Sequence, residues 1–384
     1  MYSFRRSNPL PLLRTCLARS RRHNISVFFD YLVPTVEEKV KEMVHLLIDN
    51  CERWHSLEIS NHCLEIHDLL GKVRGRVPNL KSLVIRCEPA RASPLAAFEF
   101  APQLRTVKVH DGVGRRQGIV LTHASPFFGQ CHDLQTFTRL QRVPSPYADL
   151  MQKSIPIILP ELRHFHGSHR DLIQRVTTPN LESFHLDMFF PIRSFYDNLL
   201  LNIRDLFIRS RCLGLSKLTL SNAVTSHILD ILPLLPGLAV LMFQFSGWRD
   251  GGIEEEIFRS MFQQMTDVDE VGMLKVVPNL REFSFKVAQR HLSCILCLDG
   301  IFLDMVASRA KTLEKVEAIG TVPSDIWSSK QVSVFEGLLK DGMDISLNSL
   351  RPWDFSGGLD DSIIADHCVK DTWPRHISTL VRSP

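Results

Sequence analysis

One spacing of apolar residues recurs along the chain: Leu-x-x-(Leu/Phe/Val)-x-(apolar), preceded by a polar residue and often by Pro. Two close copies begin at Leu80 and Leu104, and others begin at Trp54, Leu134, Leu162, Leu181, Leu215, Leu238, Leu280 and Leu313. The last two apolar residues of a copy are two positions apart, so on a strand they point to one face and the residues between them to the other. The pattern therefore predicts a series of short strands, each with one buried face.

Three of the copies share nearly the same wording, since Pro-Asn-Leu stands at 78–80, 179–181 and 278–280. The intervals between successive starting residues from Trp54 to Leu181 are 26, 24, 30, 28 and 19 residues, broadly the range of about 20 to 29 that is typical of leucine-rich repeats. Later intervals are longer, so we expect inserted loops after Leu186 and after Phe243.

The segments between the predicted strands favour helices, because apolar residues there recur at i, i+3 and i+4, as from Val40 to Leu47. Further helices are predicted at 148–153, 194–209, 254–264, 302–310 and 332–339. One strand and one helix cannot bury both faces alone, but stacked units share a continuous core. We predict an α/β fold: a leucine-rich-repeat solenoid of about nine to ten repeats over 1–350, with a curved parallel sheet on the concave side and helices on the convex side. Residues 351–384 are predicted to be a C-terminal cap or tail.

The composition is that of a soluble globular protein, with 384 residues, 44% hydrophobic and 23% charged. The 45 basic and 42 acidic residues give a net charge of +3, which provides no general attraction for nucleic acid. Six arginines lie between Arg5 and Arg22. They are compatible with a phosphate-binding or targeting arm, but we favour a solvated helix face.

The nine cysteines have no regular spacing, and many, such as Cys63, Cys87 and Cys297, lie in apolar stretches. This favours buried free thiols in a reducing compartment. The sequence shows no signal-peptide pattern, and no apolar run approaches the roughly 20 residues that span a bilayer. We therefore expect a cytoplasmic or nuclear protein without membrane contact.

Signals for enzyme chemistry are weak. Cys294 and Cys297 have redox or zinc spacing, but no second pair lies at a suitable distance, so buried core thiols are favoured. Residues 112–118 are glycine-rich but lack the spacing and helix start of a phosphate loop. The sequence contains neither Gly-x-Ser-x-Gly nor His-Glu-x-x-His. We expect no enzyme activity, cofactor or metal.

The outward strand positions make up the predicted binding face on the concave side. This face is mixed and polar, without the interleaved aromatics and arginines that favour nucleic acid, so the expected partner is a protein or peptide bound by a monomer. The candidate binding residues are Arg86, Lys108, His110, His164, His166, His185, Asp187, Lys217, Met242, Gln244, Glu282 and Lys286.

His166 and His185 occupy equivalent positions in consecutive repeats, with His164, His169 and Asp187 nearby in the sequence. Paired imidazoles could make a metal site or a pH-sensitive contact, because histidine titrates near neutral pH. The other interpretation is that variable surface positions happen to carry histidine. We favour the second, since no fixed ligand spacing supports the first.

The irregular Pro-Asn-Leu repeats, the opening segment 10–20 that leads into 25–29, and the segment 46–57 (LLIDNCERWHSL) together resemble the fungal F-box proteins with C-terminal leucine-rich repeats. The resemblance covers nearly the whole chain. It implies that the repeats recognise a substrate, while an F-box helix bundle docks to the adaptor of a cullin-type ubiquitin ligase.

The F-box itself is not recognisable in this sequence. An F-box begins with a Leu-Pro-x-Glu-like signature, whereas here the first repeat-side helix starts almost at Met1. Two functions remain open: substrate recognition in ubiquitin ligation, with an F-box upstream, or a free-standing repeat scaffold or inhibitor-like protein. The resemblance to this family supports the predicted fold better than it supports a role in ubiquitin ligation.

Overall fold

A computed structural model describes residues 9–31, 37–61, 64–87, 97–98, 100–111, 133–140, 156–167, 170–187, 193–223, 225–246, 248, 252–287, 295–320 and 328–348. The chain divides into two compact units, with the boundary between Asn180 and Leu181. The predicted single array over 1–350 stays a prediction, and the predicted tail at 351–384 lies outside the described residues.

The first unit contains a parallel sheet whose strands follow the order of the chain, each paired with the next. Its strands are β1 (Ile25–Tyr31), β2 (Trp54–Asn61), β3 (Ser82–Cys87), β4 (Thr106–Asp111), β5 (Thr136–Leu140) and β7 (His164–Gly167). A separate parallel pair is made by β6 (Ile157–Ile158) and β8 (Val176–Thr177). The helices are α1 (Pro9–Ser20), α2 (Glu38–Ile48), α3 (Leu64–Leu70) and α4 (Arg170–Arg175), with 3-10 turns at Cys51–Arg53 and Gly71–Val73.

The second unit repeats this arrangement, with six parallel strands in chain order. The strands are β9 (Ser183–Asp187), β10 (Lys217–Ser221), β11 (Val240–Phe245), β12 (Glu282–Val287), β13 (Lys315–Ile319) and β14 (Asp344–Asn348). Its helices are α5 (Arg193–Ser210), α6 (Ile228–Ile231), α7 (Ile253–Thr266), α8 (Gly300–Ser308) and α9 (Ser329–Lys340), with a 3-10 turn at Leu232–Leu234. Over the residues that the structure describes, the protein is thus an α/β protein with two sets of six parallel strands and the separate pair β6–β8.

The predicted sidedness of the strands is confirmed. In the first unit one row of buried residues lies in register across the strands: Val27, Leu57, Leu83, Val107, Phe137 and Phe165. In the second unit the corresponding row runs through Phe184, Leu218, Leu241, Phe283 and Val316. Inward and outward residues alternate along the strands, so a shift of one residue would turn the whole buried row outward.

The residues that start each copy of the pattern are buried, as predicted. Trp54 and the leucines at 80, 104, 134, 162, 181, 215, 238 and 280 are 0% exposed. Next to most of the starting leucines, a backbone N–H bonds to the preceding copy, as from Lys81 to His55 O (2.8 Å) and from Ala239 to Ser216 O (2.9 Å). The starting residues therefore sit at equivalent places in successive strand units.

The asparagine of the shared Pro-Asn-Leu wording has a repeated role. The Nδ2 atoms of Asn79, Asn180 and Asn279 each donate to a backbone carbonyl of an earlier segment of their own unit. The acceptors are Glu52 O at 2.8 Å, Pro160 O at 2.9 Å and Pro236 O at 2.9 Å. A side-chain amide that donates to a loop carbonyl contributes about 1 kcal/mol. The asparagine of the Pro-Asn-Leu motif therefore stabilises the contact with an earlier segment.

A cluster of aromatic rings forms the core of the second unit between α7 and the buried side of its sheet. Phe258 on α7 lies 4.8 Å from Phe243 and 4.9 Å from Phe285, measured between ring centroids and nearly edge to face. One turn further along α7, Phe262 contacts Phe283 at 5.7 Å. Edge-to-face pairs add to the free energy gained from burying their area, so this cluster fixes α7 on the sheet.

A buried arginine joins two segments next to this cluster. Arg309, which follows α8, is 1% exposed. Its guanidinium donates to Met265 O (2.7 and 3.2 Å), Val276 O (2.6 Å) and Val277 O (2.7 Å). Burial lowers the pKa of Arg309 to about 10, which leaves the group charged at neutral pH. The end of α7 and the segment before β12 are therefore held by one side chain.

The long interval after Leu186 is occupied mainly by the helix α5, so the loop expected there is wrong for most of that length. The interval after Phe243 contains α7 and then the non-helical residues 267–281, so the insertion expected there is confirmed. The predicted helix at 194–209 is confirmed as α5 and that at 254–264 as α7. Those at 302–310 and 332–339 correspond to α8 and α9, while 148–153 lies outside the described residues. Among the helices that the structure describes, none has the length and hydrophobicity needed to cross a membrane.

Candidate binding surface

The outward side chains of the first unit form what we call the first polar face. It contains Ser26, Phe28, Asp30, Ser56, Glu58, Ser60, Ser82, Val84, Arg86, Thr106, Lys108, Thr136, Thr138, His164 and His166. One row across it, from Ser26 to Thr136, consists of hydroxyl residues alone: Ser26, Ser56, Ser82, Thr106 and Thr136. These hydroxyls can donate and accept hydrogen bonds, so the face offers polar contacts without a fixed charge along this row.

An ion pair lies on the first polar face between neighbouring strands. Arg86 on β3 donates from Nε to Glu58 on β2 at 3.0 Å, and both side chains are one-third exposed. Lys108 on β4 is exposed, and so is His164 on β7, while His166 is half-buried. His110 is on β4 as predicted, but its side chain lies outside the described residues.

The outward side chains of the second unit form the second polar face. Its members are Ser183, His185, Asp187, Lys217, Thr219, Ser221, Val240, Met242, Gln244, Glu282, Ser284, Lys286, Lys315, Glu317, Ile319, Asp344, Ser346 and Asn348. Asp187 lies half-buried at the start of one row, in register with Ser221. All seven predicted residues between His185 and Lys286 lie on this face.

Three candidate binding residues of the second polar face, His185, Met242 and Gln244, form a chain of contacts with Ser221 across three strands. His185 Nε2 is 3.1 Å from Ser221 Oγ, which donates to Gln244 Oε1 at 3.2 Å. Gln244 Nε2 in turn donates to the Met242 sulfur at 3.0 Å. Ser221 is only 6% exposed, because its neighbours cover it. The side chains in this region are therefore fixed before any partner arrives.

Glu317 on β13 joins a second set of contacts on this face. Its Oε2 accepts from Lys286 Nζ at 2.9 Å and from Ser284 Oγ at 3.1 Å. Burial raises the pKa of Glu317, but the hydrogen bonds and charges of Lys286, Ser284 and Lys315 outweigh burial and lower the pKa overall. The carboxylate is thus held ionised beside two lysines.

The first row of the second polar face carries exposed charges of alternating sign. Lys217, Glu282, Lys315 and Asp344 all lie in this row, with Val240 between the first two. Neighbouring parallel strands are about 4.8 Å apart, so a partner that crosses the strands meets basic and acidic groups in turn. Such a row selects a partner by the pattern of its charges more than by net charge.

The predicted histidine cluster divides between the two units. His164 and His166 belong to the first, His185 and Asp187 to the second, and His169 lies outside the described residues. Burial, followed by the charge of Lys217, lowers the pKa of His185 to about 4. His185 is therefore neutral throughout the physiological range and cannot act there as a pH sensor. Within the described residues, no group of three His, Cys, Asp or Glu side chains could hold a metal ion.

The cysteine and glycine motifs give little further chemistry. Cys297 is buried, and desolvation by burial raises the pKa of its thiol far above the neutral range. It is therefore not a reactive thiolate. Cys294, Cys63 and residues 112–118 lie outside the described residues.

Sequence reasoning missed part of the second polar face. Lys315 and Glu317 flank Val316, which the pattern already identified as an inward residue, so extending the copy at Leu313 by one register position would have placed both outward. The repeated pattern did not predict β14, because Met343 stands before this strand where the other copies have a leucine. Thr219, Ser221 and Ser284 point outward but are buried by their neighbours, which no strand periodicity shows.

Comparisons with known proteins do not assign a family. No protein-family model matches the sequence, and no curated protein matches it. Among solved structures, the chain is similar to a structural genomics target from Bacteroides fragilis, with 11% sequence identity and a TM-score of 0.32, over 83% of this chain and 74% of that one. A similarity of this size supports no conclusion about function.

Proposed function

We propose that this chain is a protein-binding module of the leucine-rich-repeat type, whose polar faces hold a protein or peptide partner. The observation that carries the proposal is that polar and charged side chains point outward, in a fixed register, from parallel strands whose inward side chains are buried in the core. The strands cannot shift without moving buried rows such as Leu218, Leu241 and Phe283. Side chains that already contact one another in the free protein lose less conformational entropy when a partner binds.

The second polar face has the features expected of a protein-binding surface. Its centre has covered hydroxyls and the half-buried Met242, and its first row has exposed charges of both signs. Protein interfaces combine a desolvated centre with a polar rim, and methionine is enriched in them. A strongly single-signed face would instead favour a polyanion or a membrane.

The test reverses charges on this face without changing the net charge. The variant Lys217→Glu with Glu282→Lys alters two exposed positions of the first row. Its matched control is Lys330→Glu with Glu336→Lys on the exposed side of α9. The partner is captured from native extract, identified and purified, and its affinity for the three proteins is measured by calorimetry.

We expect the face variant to bind at least about tenfold more weakly, since like charges brought together in an interface cost several kcal/mol and about 1.4 kcal/mol is already tenfold. The control variant is expected to bind as the unaltered chain does. Equal affinity for both variants would place the partner elsewhere and contradict the proposed use of the second polar face.

The more specific proposal is substrate recognition in ubiquitin ligation, and its support is the sequence resemblance to F-box proteins with leucine-rich repeats. The alternative is a free-standing scaffold or inhibitor-like protein that binds its partner through the polar faces alone. We place both in the cytoplasm or nucleus, because Cys51, Cys212 and Cys297 are buried free thiols of the kind that reducing compartments preserve.

A pull-down from native extract, probed for the adaptor of cullin-type ligases, separates these two functions. Recovery of the adaptor with this chain supports the ligase role. A stable complex with another protein and no adaptor supports the scaffold.

A further inference from the structure

The connection between α7 and β12 carries an insertion. Leu280 follows the end of α7 at Thr266 by 14 residues, whereas Leu215 follows the end of α5 by five and Leu313 follows the end of α8 by five. The nine additional residues correspond to 267–275. Eight of these nine residues are exposed, and Leu274 is half-buried.

The insertion is a hairpin with a defined shape. Asp269 and Met273 pair through a backbone hydrogen bond of 2.8 Å, and an antiparallel bridge joins Val268 to Leu274. Asp269 Oδ1 accepts from the backbone N–H groups of Val271 (2.9 Å) and Met273 (2.8 Å). Gly272 takes a positive φ of 82° at the turn, a conformation that glycine adopts without strain.

Arg309 holds the base of this hairpin. Its guanidinium donates to Met265 O just before the hairpin and to Val276 O and Val277 O just after it. The two ends of 267–275 are therefore tied to one buried side chain. A loop fixed at its tip and at its base loses little conformational entropy on binding.

The tip of the hairpin exposes apolar side chains within an acidic surround. Val271 is 85% exposed, Met273 61% and Val268 49%. Single exposed apolar residues are ordinary on protein surfaces, but three on one rigid nine-residue loop form a patch of the kind that marks interaction sites. Asp267, Asp269 and Glu270 are also exposed, and Lys275 at the hairpin's end is the single basic residue of 267–275.

We propose that the 267–275 hairpin is a second docking element, which inserts Val271 and Met273 into an apolar pocket bordered by basic side chains on a protein partner. The carboxylates around the tip select the basic border by charge complementarity. They also oppose contact with anionic lipid or with nucleic acid, both of which carry negative charge. The hairpin is not part of either polar face, so the proposal stands independently of the binding proposed there.

The first experiment places the photo-crosslinker p-benzoylphenylalanine at Val271 of the full-length chain and irradiates it in native extract. The matched control carries the same group at Leu339 on α9, an exposed apolar position (43%) outside the hairpin. We expect a protein adduct at position 271 that does not form at position 339. The captured protein is then purified for affinity measurements.

Two double variants separate the apolar and the acidic contributions. Val271→Ser with Met273→Ser removes the apolar tip, and we expect binding at least about tenfold weaker, as for central interface anchors. Asp267→Asn with Glu270→Gln keeps the Asp269 turn and is expected to weaken binding several-fold at low salt and much less at about 0.5 M NaCl. Leu339→Ser serves as the control, and unchanged urea unfolding of all three shows that the fold is intact.

The proposal is overturned if no adduct is specific to position 271, or if the adduct joins two copies of this chain. It is equally overturned if the purified partner binds the Val271/Met273 variant as tightly as the unaltered protein. Unchanged affinity in the Asp267/Glu270 variant would refute the basic border of the pocket.

Discussion

Replacing Arg309 by methionine tests the reasoning about the second unit most directly. Methionine has a similar length and fits an apolar site, so the change removes the guanidinium and leaves most of the packing. The three carbonyls of Met265, Val276 and Val277 then lose the donor that they share. Because Arg309 is 1% exposed, water does not replace that donor without opening the structure.

The magnitude follows from these contacts. A buried carbonyl left without a donor costs about 1 to 3 kcal/mol, and hydrogen bonds from a charged group lie at the strong end of the usual range. The methionine variant avoids the penalty for burying a charge, which offsets part of the loss. We therefore take the lower end for each of three carbonyls and expect the free energy of unfolding to fall by about 3 kcal/mol, a large part of the 5 to 15 kcal/mol typical of a domain.

The assay is urea unfolding at neutral pH, together with hydrogen exchange of the peptides that cover 265–280. The matched control is Arg281→Met, because Arg281 is an arginine of the same unit with 66% of its side chain exposed and an ion pair of 3.6 Å to Glu314. An exposed pair of this kind is expected to contribute less than about 0.5 kcal/mol. Faster exchange at the base of the hairpin is expected for Arg309→Met alone.

A loss below about 1 kcal/mol for Arg309→Met, or a loss equal to that of Arg281→Met, would refute this reasoning, since surface substitutions change stability by that much or less. Unchanged exchange at 265–280 would show that the guanidinium does not hold the hairpin's base. In that case the entropy argument for docking by the hairpin would also fail.

Three further predictions concern single side chains. His185 has a pKa near 4 against 6.5 unperturbed, so the unfolded state binds a proton first as pH falls. Stability is then lost by about 2 kcal/mol between about pH 7.5 and 5, and His185→Gln should abolish that part of the pH dependence in urea titrations; an identical dependence would argue against burial of the ring. Phe258→Ala, in the centre of the aromatic cluster, should lower the free energy of unfolding by about 3 to 5 kcal/mol in the same assay, whereas a loss under about 1 kcal/mol would show a loosely packed core. Ser328 accepts from Gln331 N in a capping box at the start of α9, so Ser328→Ala should cost about 1 kcal/mol and increase exchange in the first turn of α9 alone.

The sequence was sufficient to predict which residues are buried, because that depends on local spacing. A leucine such as Leu80 or Leu238, followed by apolar residues at fixed offsets, has only one way to bury them on a strand. The same spacing identified the outward positions, including Lys217 and Glu282. It could not show which outward residues cover one another, since the contacts of Ser221 with His185 and Gln244 join different strands and depend on the side-chain conformations there.

Interval lengths were a weaker guide than spacing. A long interval is compatible with a loop or a helix, and after Leu186 the structure has the helix α5. The turn of the 267–275 hairpin is stabilised by one side chain, Asp269, that accepts from two backbone N–H groups, and a single Asx turn leaves no periodic signal. Arg309 is similar, because an arginine just after a helix is usually solvated, and only tertiary contacts reveal its burial.

The order of strands within each unit has a consequence for how the protein folds and opens. In the second unit each parallel strand pairs only with strands next along the chain, so its backbone contacts span modest lengths, for example 23 residues between Ser216 and Ala239 and 42 between Ala239 and Arg281. Chains with such nearest-neighbour contacts can nucleate at any adjacent pair and grow outward, and they unravel from their ends. Hydrogen exchange should therefore be graded within the second unit, slowest at β11 and β12 and fastest at β14, which pairs with β13 alone among the strands that the structure describes.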